Sequence, residues 1–177
     1  DGFGTFDVTI DGGKRQSVAR AYLEEVKNYN NLKVKHKTDV SKIIFKDKKA
    51  IGVEIKNNNK TEVYYCNKEI ILSAGSINSP KILQLSGVGD PILLKQNNIE
   101  VIHELPGVGQ NLQDHLEIYI QHKSKTKDTL YNLSTNYFTQ AIEGIKWFLL
   151  KQGMLTYSHL ELGGFVKTSD KYKHPNI

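Results

Sequence analysis

Between residues 69 and 85 the apolar pattern changes in a way that few folds accommodate. Ile70, Ile71 and Leu72 are consecutive, the small residues Ser73, Ala74, Gly75 and Ser76 follow, and helical spacing resumes after Pro80. A run of adjacent apolar residues suits a strand buried on both faces, as in a parallel sheet. The small residues that end it suit the carboxyl edge of such a sheet, where backbone must approach a ligand closely. Free N–H groups at the start of the next helix favour an anion there. The same joint also occurs where a crossover helix simply packs on a sheet, so the residues alone leave both readings open.

The flanking segments extend this pattern into a mixed α/β chain. "NLKVKH", "VSKIIF", "AIGVEIK" and "EVYYC" are short, rich in β-formers and separated by turn residues such as "KDKK" and "KNNNK". They predict a small antiparallel meander with one wet face, shown most clearly where Ile51, Val53 and Ile55 alternate with polar or small neighbours. Ala19, Tyr22, Leu23 and Val26 recur at helical spacing and predict a helix over 17–29 with Ser17 as its cap. Pro80 is expected to open a helix through "KILQL" that closes at Ser86 and Gly87, and a second short helix is expected over 91–96. A third is expected over 137–151, with Phe138, Ile142, Ile145 and Leu149 on one face. "ELGGFVKTSD" is expected to begin a strand.

Composition narrows the function classes. The chain has 177 residues, 38% of them hydrophobic, enough for a core, and its longest apolar runs fall far short of a membrane span. The opening residues carry no charged-then-apolar pattern, so no secretory leader is expected among them, and a start removed or never included is equally consistent with this. Its net charge of +5 is spread over turns and strand faces. The densest runs, "KVKHKTDVSK" and "KSKTKDT", lack the interleaved aromatic residues of a nucleic-acid stacking platform, so a solvated surface is the expected role. The single cysteine, Cys66, excludes an internal disulfide and is expected to be a small buried residue. No His, Cys, Asp or Glu set has metal-ligand spacing, so no metal is expected.

The order Gly75-Ser76-x-x-Ser79-Pro80-x-Ile82-Leu83-x-x-Ser86-Gly87-Val88-Gly89 resembles, position for position, a signature of the glucose-methanol-choline (GMC) family of flavin oxidoreductases. "HELPGVGQNLQDHLE" and "GGKRQSVARAYL" are similar to two further blocks of that family, and the resemblance covers essentially the whole chain. "VGQNLQDHLEIYIQ" and "HLELGGFVK" look like the choline dehydrogenase subgroup. The resemblance implies part of an FAD-binding Rossmann-like domain over residues 1–115 and the beginning of a substrate-binding domain over 116–177. No GxGxxG motif occurs, since "GVGQNL" lacks the third glycine and a preceding strand. The family's catalytic histidine belongs to a block without a counterpart here. The expectation is therefore a piece of a longer enzyme with no catalytic residue of its own.

Within the family reaction, an alcohol loses its hydroxyl proton to that histidine and a hydride to the flavin, while the protein positions both. The resemblance assigns Val40 to the adenine edge through its backbone, and Ala74 and Gly75 to close approach of the adenosine and pyrophosphate part of FAD. Asn111 and Leu112, with Asp114 and His115, would line the edge of the flavin site; on local chemistry alone Asn111 and Asp114 form a capped turn. Glu161 corresponds to the glutamate that meets the trimethylammonium head of choline, with Trp147, Tyr157 and Phe165 as nearby aromatics. A surface glutamate is the alternative for that position; His159 reads as structural, and His36, in an alternating strand, is expected on the surface. The expected parent is a choline-oxidising, FAD-dependent dehydrogenase that makes betaine aldehyde. The alternatives are oxidation of another primary alcohol, a non-redox relative of the hydroxynitrile lyase type, or an inactive truncated product. The electron acceptor, oxygen or a respiratory quinone, is open, and the expected location is cytoplasmic or peripheral on the inner face of a membrane. The isolated segment is expected to be aggregation-prone, because the apolar strand at 70–72 would lack sheet partners.

Overall fold

A computed structural model describes residues 2–177 apart from 58–59, 127–128, 157–159 and 161, and apart from the side chain of Leu133. In chain order the strands and helices begin with β1 (Gly2–Thr5), β2 (Ile10–Asp11) and β3 (Lys14–Arg15). A π-helical turn (Ala19–Leu23) runs into α1 (Glu24–Val26). Next come β4 (Asp39–Lys46), β5 (Lys49–Asn57), β6 (Lys60–Tyr65), α2 (Gly75–Leu85) and β7 (Val88–Gly89). The remaining elements are α3 (Pro91–Gln96), β8 (His103–Glu104), α4 (Leu130–Thr135), α5 (Tyr137–Leu150) and β9 (Leu162–Phe165). The chain divides into two compact units, one formed by residues 34–119 and the other by residues 1–33 together with 120–177.

The first unit is a mixed α/β body. β4, β5 and β6 form the expected antiparallel meander in that order. α2 packs against β4, and β7, α3 and β8 make a short parallel crossover in which Val88 pairs with His103. Ile43, Ile55, Ile82, Val88, Leu94 and Val108 form its core, with Leu94 only 1% exposed. Local chemistry explains α3: the Asp90 carboxylate accepts the Ile92 N–H at 2.8 Å, and Pro91 occupies a first-turn position that needs no donor.

Three expectations fail in this unit. Residues 32–36 form no strand; Lys35 instead reaches β6 through its side chain, with Nζ 3.1 Å from the Glu62 carboxylate. Residues 70–72 join no ladder, and Ile71 is 79% exposed, because a buried strand requires neighbours on both sides. α2 begins at Gly75, so Pro80 lies inside the helix instead of opening it. Cys66 is half-buried, and its thiol lies 3.8 Å from the Ala50 carbonyl.

In the second unit β1 pairs antiparallel with β9, placing Gly4 opposite Gly163 and Phe3 opposite Gly164. A Cβ at Gly163 would lie 1.9 Å from the Phe6 ring, so the ring rests on this glycine. The helix expected over 17–29 is shorter, although Ser17 Oγ does accept the Arg20 N–H at 3.4 Å. α5 forms as expected and ends at Lys151, which is left-handed at φ 54°. Its apolar face does not become a core: Phe138, Ile142, Ile145 and Leu149 are all exposed. The buried residue of α5 is Glu143, whose carboxylate accepts from Lys146 Nζ at 2.7 Å and from the Met154 N–H at 2.9 Å. These bonds, the Lys146 one foremost, hold its pKa below the ordinary glutamate value.

Candidate functional site

The structure places four of the five residues expected at the cofactor on two clefts that flank α2. The first cleft, about 690 Å³, is lined by residues 38–42 of the β4 side, by Lys56, and by Ala74, Asn78, Lys81, Ile82 and Leu85. Val40 and Ala74, 34 positions apart in sequence, thus face one space. The second cleft, about 560 Å³, lies between Ser76, Ile77, Pro80, Lys81 and Gln84 on one side and residues 109–113 on the other, which brings Asn111 and Leu112 to the opposite flank of the same helix. Gly75 lines neither cleft but stands between Ala74 of the first and Ser76 of the second, at the N-terminal end of α2.

The β-ladder decides which way Val40 faces. Cys66 donates to the Ile51 carbonyl at 2.9 Å, so odd-numbered residues of β5 direct their backbone groups toward β6. Ile55 therefore does not bond β4, and Val40, its partner in the register, turns its own N–H and C=O to the outer edge. A β-bulge between Val40 and Lys42 produces this orientation. β4 is an edge strand of the sheet, so the Val40 backbone is presented to the cleft.

Charge and space in the first cleft suit an anionic ligand of nucleotide size. Lys42, Lys56 and Lys81 line it against a single acid, Asp39. Lys42 is shared with Glu54, 3.7 Å away. Its volume lies in the roughly 300–1,000 Å³ range of small-molecule sites. Gly75 has φ +85°, which favours glycine, and a Cβ built on it meets nothing within 4 Å, so the space beside its backbone is open. The Ala74 N–H donates to Ser79 Oγ at 3.0 Å, which fixes the start of the helix.

Gln84 was not among the residues singled out from sequence, yet it couples the two motifs. Its Nε2 donates to the Val108 carbonyl at 3.1 Å, pinning the segment that carries Asn111 to α2. Gly109 has φ +79°, which favours glycine, and a Cβ there would sit 2.8 Å from that nitrogen and displace the Gln84 amide. The available signal was a polar residue between Leu83 and Leu85. Asn111 is itself left-handed, at φ 56°, and Asp114 Oδ1 accepts the His115 N–H at 2.8 Å, but residues 111–120 form no turn, so the capped turn expected from local chemistry does not form.

Glu161, Tyr157 and His159 lie outside the described residues. Phe165 is exposed on β9. Trp147 spends its indole N–H on the Gly13 carbonyl at 2.8 Å and carries Lys151 Nζ 4.4 Å from its ring centroid. Among the described residues no three His, Cys, Asp or Glu side chains are placed to hold a metal ion, and no helix is long and apolar enough to cross a membrane.

Comparison with known proteins identifies the family. Residues 1–117 match the family model described as GMC oxidoreductase. The whole chain aligns at 42% identity with an oxygen-dependent choline dehydrogenase of Photobacterium profundum and at 44% with the mitochondrial choline dehydrogenase of Homo sapiens, covering 31% and 30% of their lengths. The chain thus spans about a third of the curated relatives it matches. Among solved structures, an FAD-dependent oxidoreductase from Chaetomium thermophilum superposes with a TM-score of 0.84 at 35% identity, over 93% of this chain and 30% of its own. A formate oxidase from Aspergillus oryzae gives 0.76 at 26% identity, over 93% and 28%. With a family model covering residues 1–117 and the fold shared across these structures, the chain belongs to the GMC oxidoreductase family.

Proposed function

We propose that this chain forms part of the FAD site of a dehydrogenase that oxidises choline to betaine aldehyde. The observation that carries the reading is that proteins named choline dehydrogenases align over every residue of this chain, at 42% and 44% identity. The cleft that joins Val40 to Ala74 supports the cofactor half of it. FAD, when bound, supplies the acceptor for the hydride that leaves the alcohol carbon.

The residues of this chain bind and orient. The outward N–H and C=O of Val40 offer a donor and an acceptor to the edge of an adenine. Lys56 and Lys81 supply positive charge to the same cleft, and Ala74 and Gly75 leave room for close approach. Asn111 and Leu112, held to α2 through Gln84, line the side nearer the flavin ring. Residues 1–115 then belong to the FAD-binding domain and 116–177 begin the substrate-binding domain. Glu161 meets the quaternary ammonium of choline, which a carboxylate and aromatic faces can hold although it offers no N–H donor.

Anaerobic addition of choline to the full-length flavoprotein tests this. Bleaching of the oxidised flavin absorbance is expected, and Glu161→Gln is expected to raise the choline KM by about tenfold, the scale for a desolvated cation contact. Bleaching by other primary alcohols but not choline would remove the substrate assignment. Cleavage of a cyanohydrin without any flavin reduction would remove the redox reading altogether.

A further inference from the structure

We propose that Ser86 is a positioning residue for the adenosine end of the cofactor: its buried hydroxyl ties the free edge of β4 to α2 and so sets the separation across which Val40 and Ala74 face each other. The inference rests on reading that cleft as the FAD site.

Ser86 is 6% exposed, and its Oγ accepts the Ile43 N–H at 2.7 Å while donating to the Ile82 carbonyl at 2.5 Å. A hydroxyl can do both at once. Ile43 lies on the same strand edge as Val40, because the bulge at Ser41 restores the outward direction that plain alternation over three residues would reverse. Ile82 lines the cleft from the helix side. One oxygen therefore spans from the strand that presents Val40 to the helix that begins beside Ala74.

Little slack remains for another group to take over. Gly87, which follows, has φ +82°, and a Cβ there would lie 2.4 Å from the Glu100 carbonyl, so the chain behind Ser86 is confined. The Ser86 N–H is already bonded to the Ile82 and Leu83 carbonyls, both at 3.0 Å. An alanine at this position would leave the Ile43 N–H without its acceptor at a buried edge.

The test uses full-length apoprotein titrated with ADP, which represents the adenosine end, and with FMN, which lacks it. Ser86→Ala is expected to raise the ADP Kd about tenfold, the scale of one unpaired buried N–H, and to leave the FMN Kd unchanged. An unchanged ADP Kd, or an equal loss for FMN, overturns the inference, the latter because general loosening would affect both. If Ser86→Ala does not yield folded protein, Ser86→Cys, a weaker hydrogen-bonding group, must show the same selective loss. Ala74→Leu separates the two ideas. If it leaves ADP binding intact the cleft is not the site; if it weakens ADP while Ser86→Ala does not, the site stands and the role of Ser86 falls.

Discussion

The two units of the chain differ in what they bury. Residues 34–119 contain all six buried hydrophobic side chains among the described residues, whereas in the unit formed by 1–33 and 120–177 the buried side chain is the carboxylate Glu143. α5 has the more regular amphipathic pattern, yet Phe138, Ile145, Phe148 and Leu149 are exposed. The irregular path from 86 to 108 encloses Leu94 almost completely. Periodicity shows that a face is suited to burial, but burial needs an opposing surface. Here β4 and α2 supply each other with that surface.

Hydrogen exchange on the 177-residue chain sharpens the contrast most. Amides in β4, β5, α2 and α3 are expected to be protected, and those in α5 to exchange nearly as fast as an isolated helix. Comparable protection in α5 would break the comparison. Gly87→Ala is expected to lower the opening free energy of the first unit by about 2–6 kcal/mol, combining left-handed strain with overlap on the Glu100 carbonyl. Leu94→Ala should cost about 2–5 kcal/mol by the same measurement, and Phe148→Ala, 69% exposed, should stay within about 0.5 kcal/mol. A large effect of Phe148→Ala would mean that α5 is packed after all.

An effect smaller than that of Leu94→Ala is expected from Asp90→Ala, about 0.5–2 kcal/mol, read as loss of protection confined to α3. The smallest concerns Glu143. Its folded pKa is lowered, so its contribution to stability is fully present above the unfolded carboxylate range and is lost as pH falls through the folded value. The Met154 amide resonance should report this, titrating with a midpoint below the ordinary glutamate value. A midpoint at or above that value would show that the Lys146 and Met154 bonds do not hold the carboxylate.

The signature beginning at Gly75 was legible in sequence because residue order alone identifies it, and the family model matches the same region. The meander, α3 and α5 were legible because alternation, an Asp-Pro start and helical spacing act over a few residues. The role of Gln84 was not legible, since its partner, the Val108 carbonyl, lies 24 positions on. Nor was the start of α2: five residues precede Pro80 in the helix, although the proline itself looks like an opening residue.

Sequence by itself determined the family, the strand and helix periods, and the motifs around residues 40, 74 and 111. Only the tertiary structure decided that Val40 turns outward, that Ala74 faces it across a cleft, and that Ile70–Leu72 joins no ladder. The reason is that side-chain spacing is a local property, whereas a backbone hydrogen bond between strands depends on a partner and a register set far away in the chain. One bulged residue, Ser41, is enough to change the edge to which Val40 points.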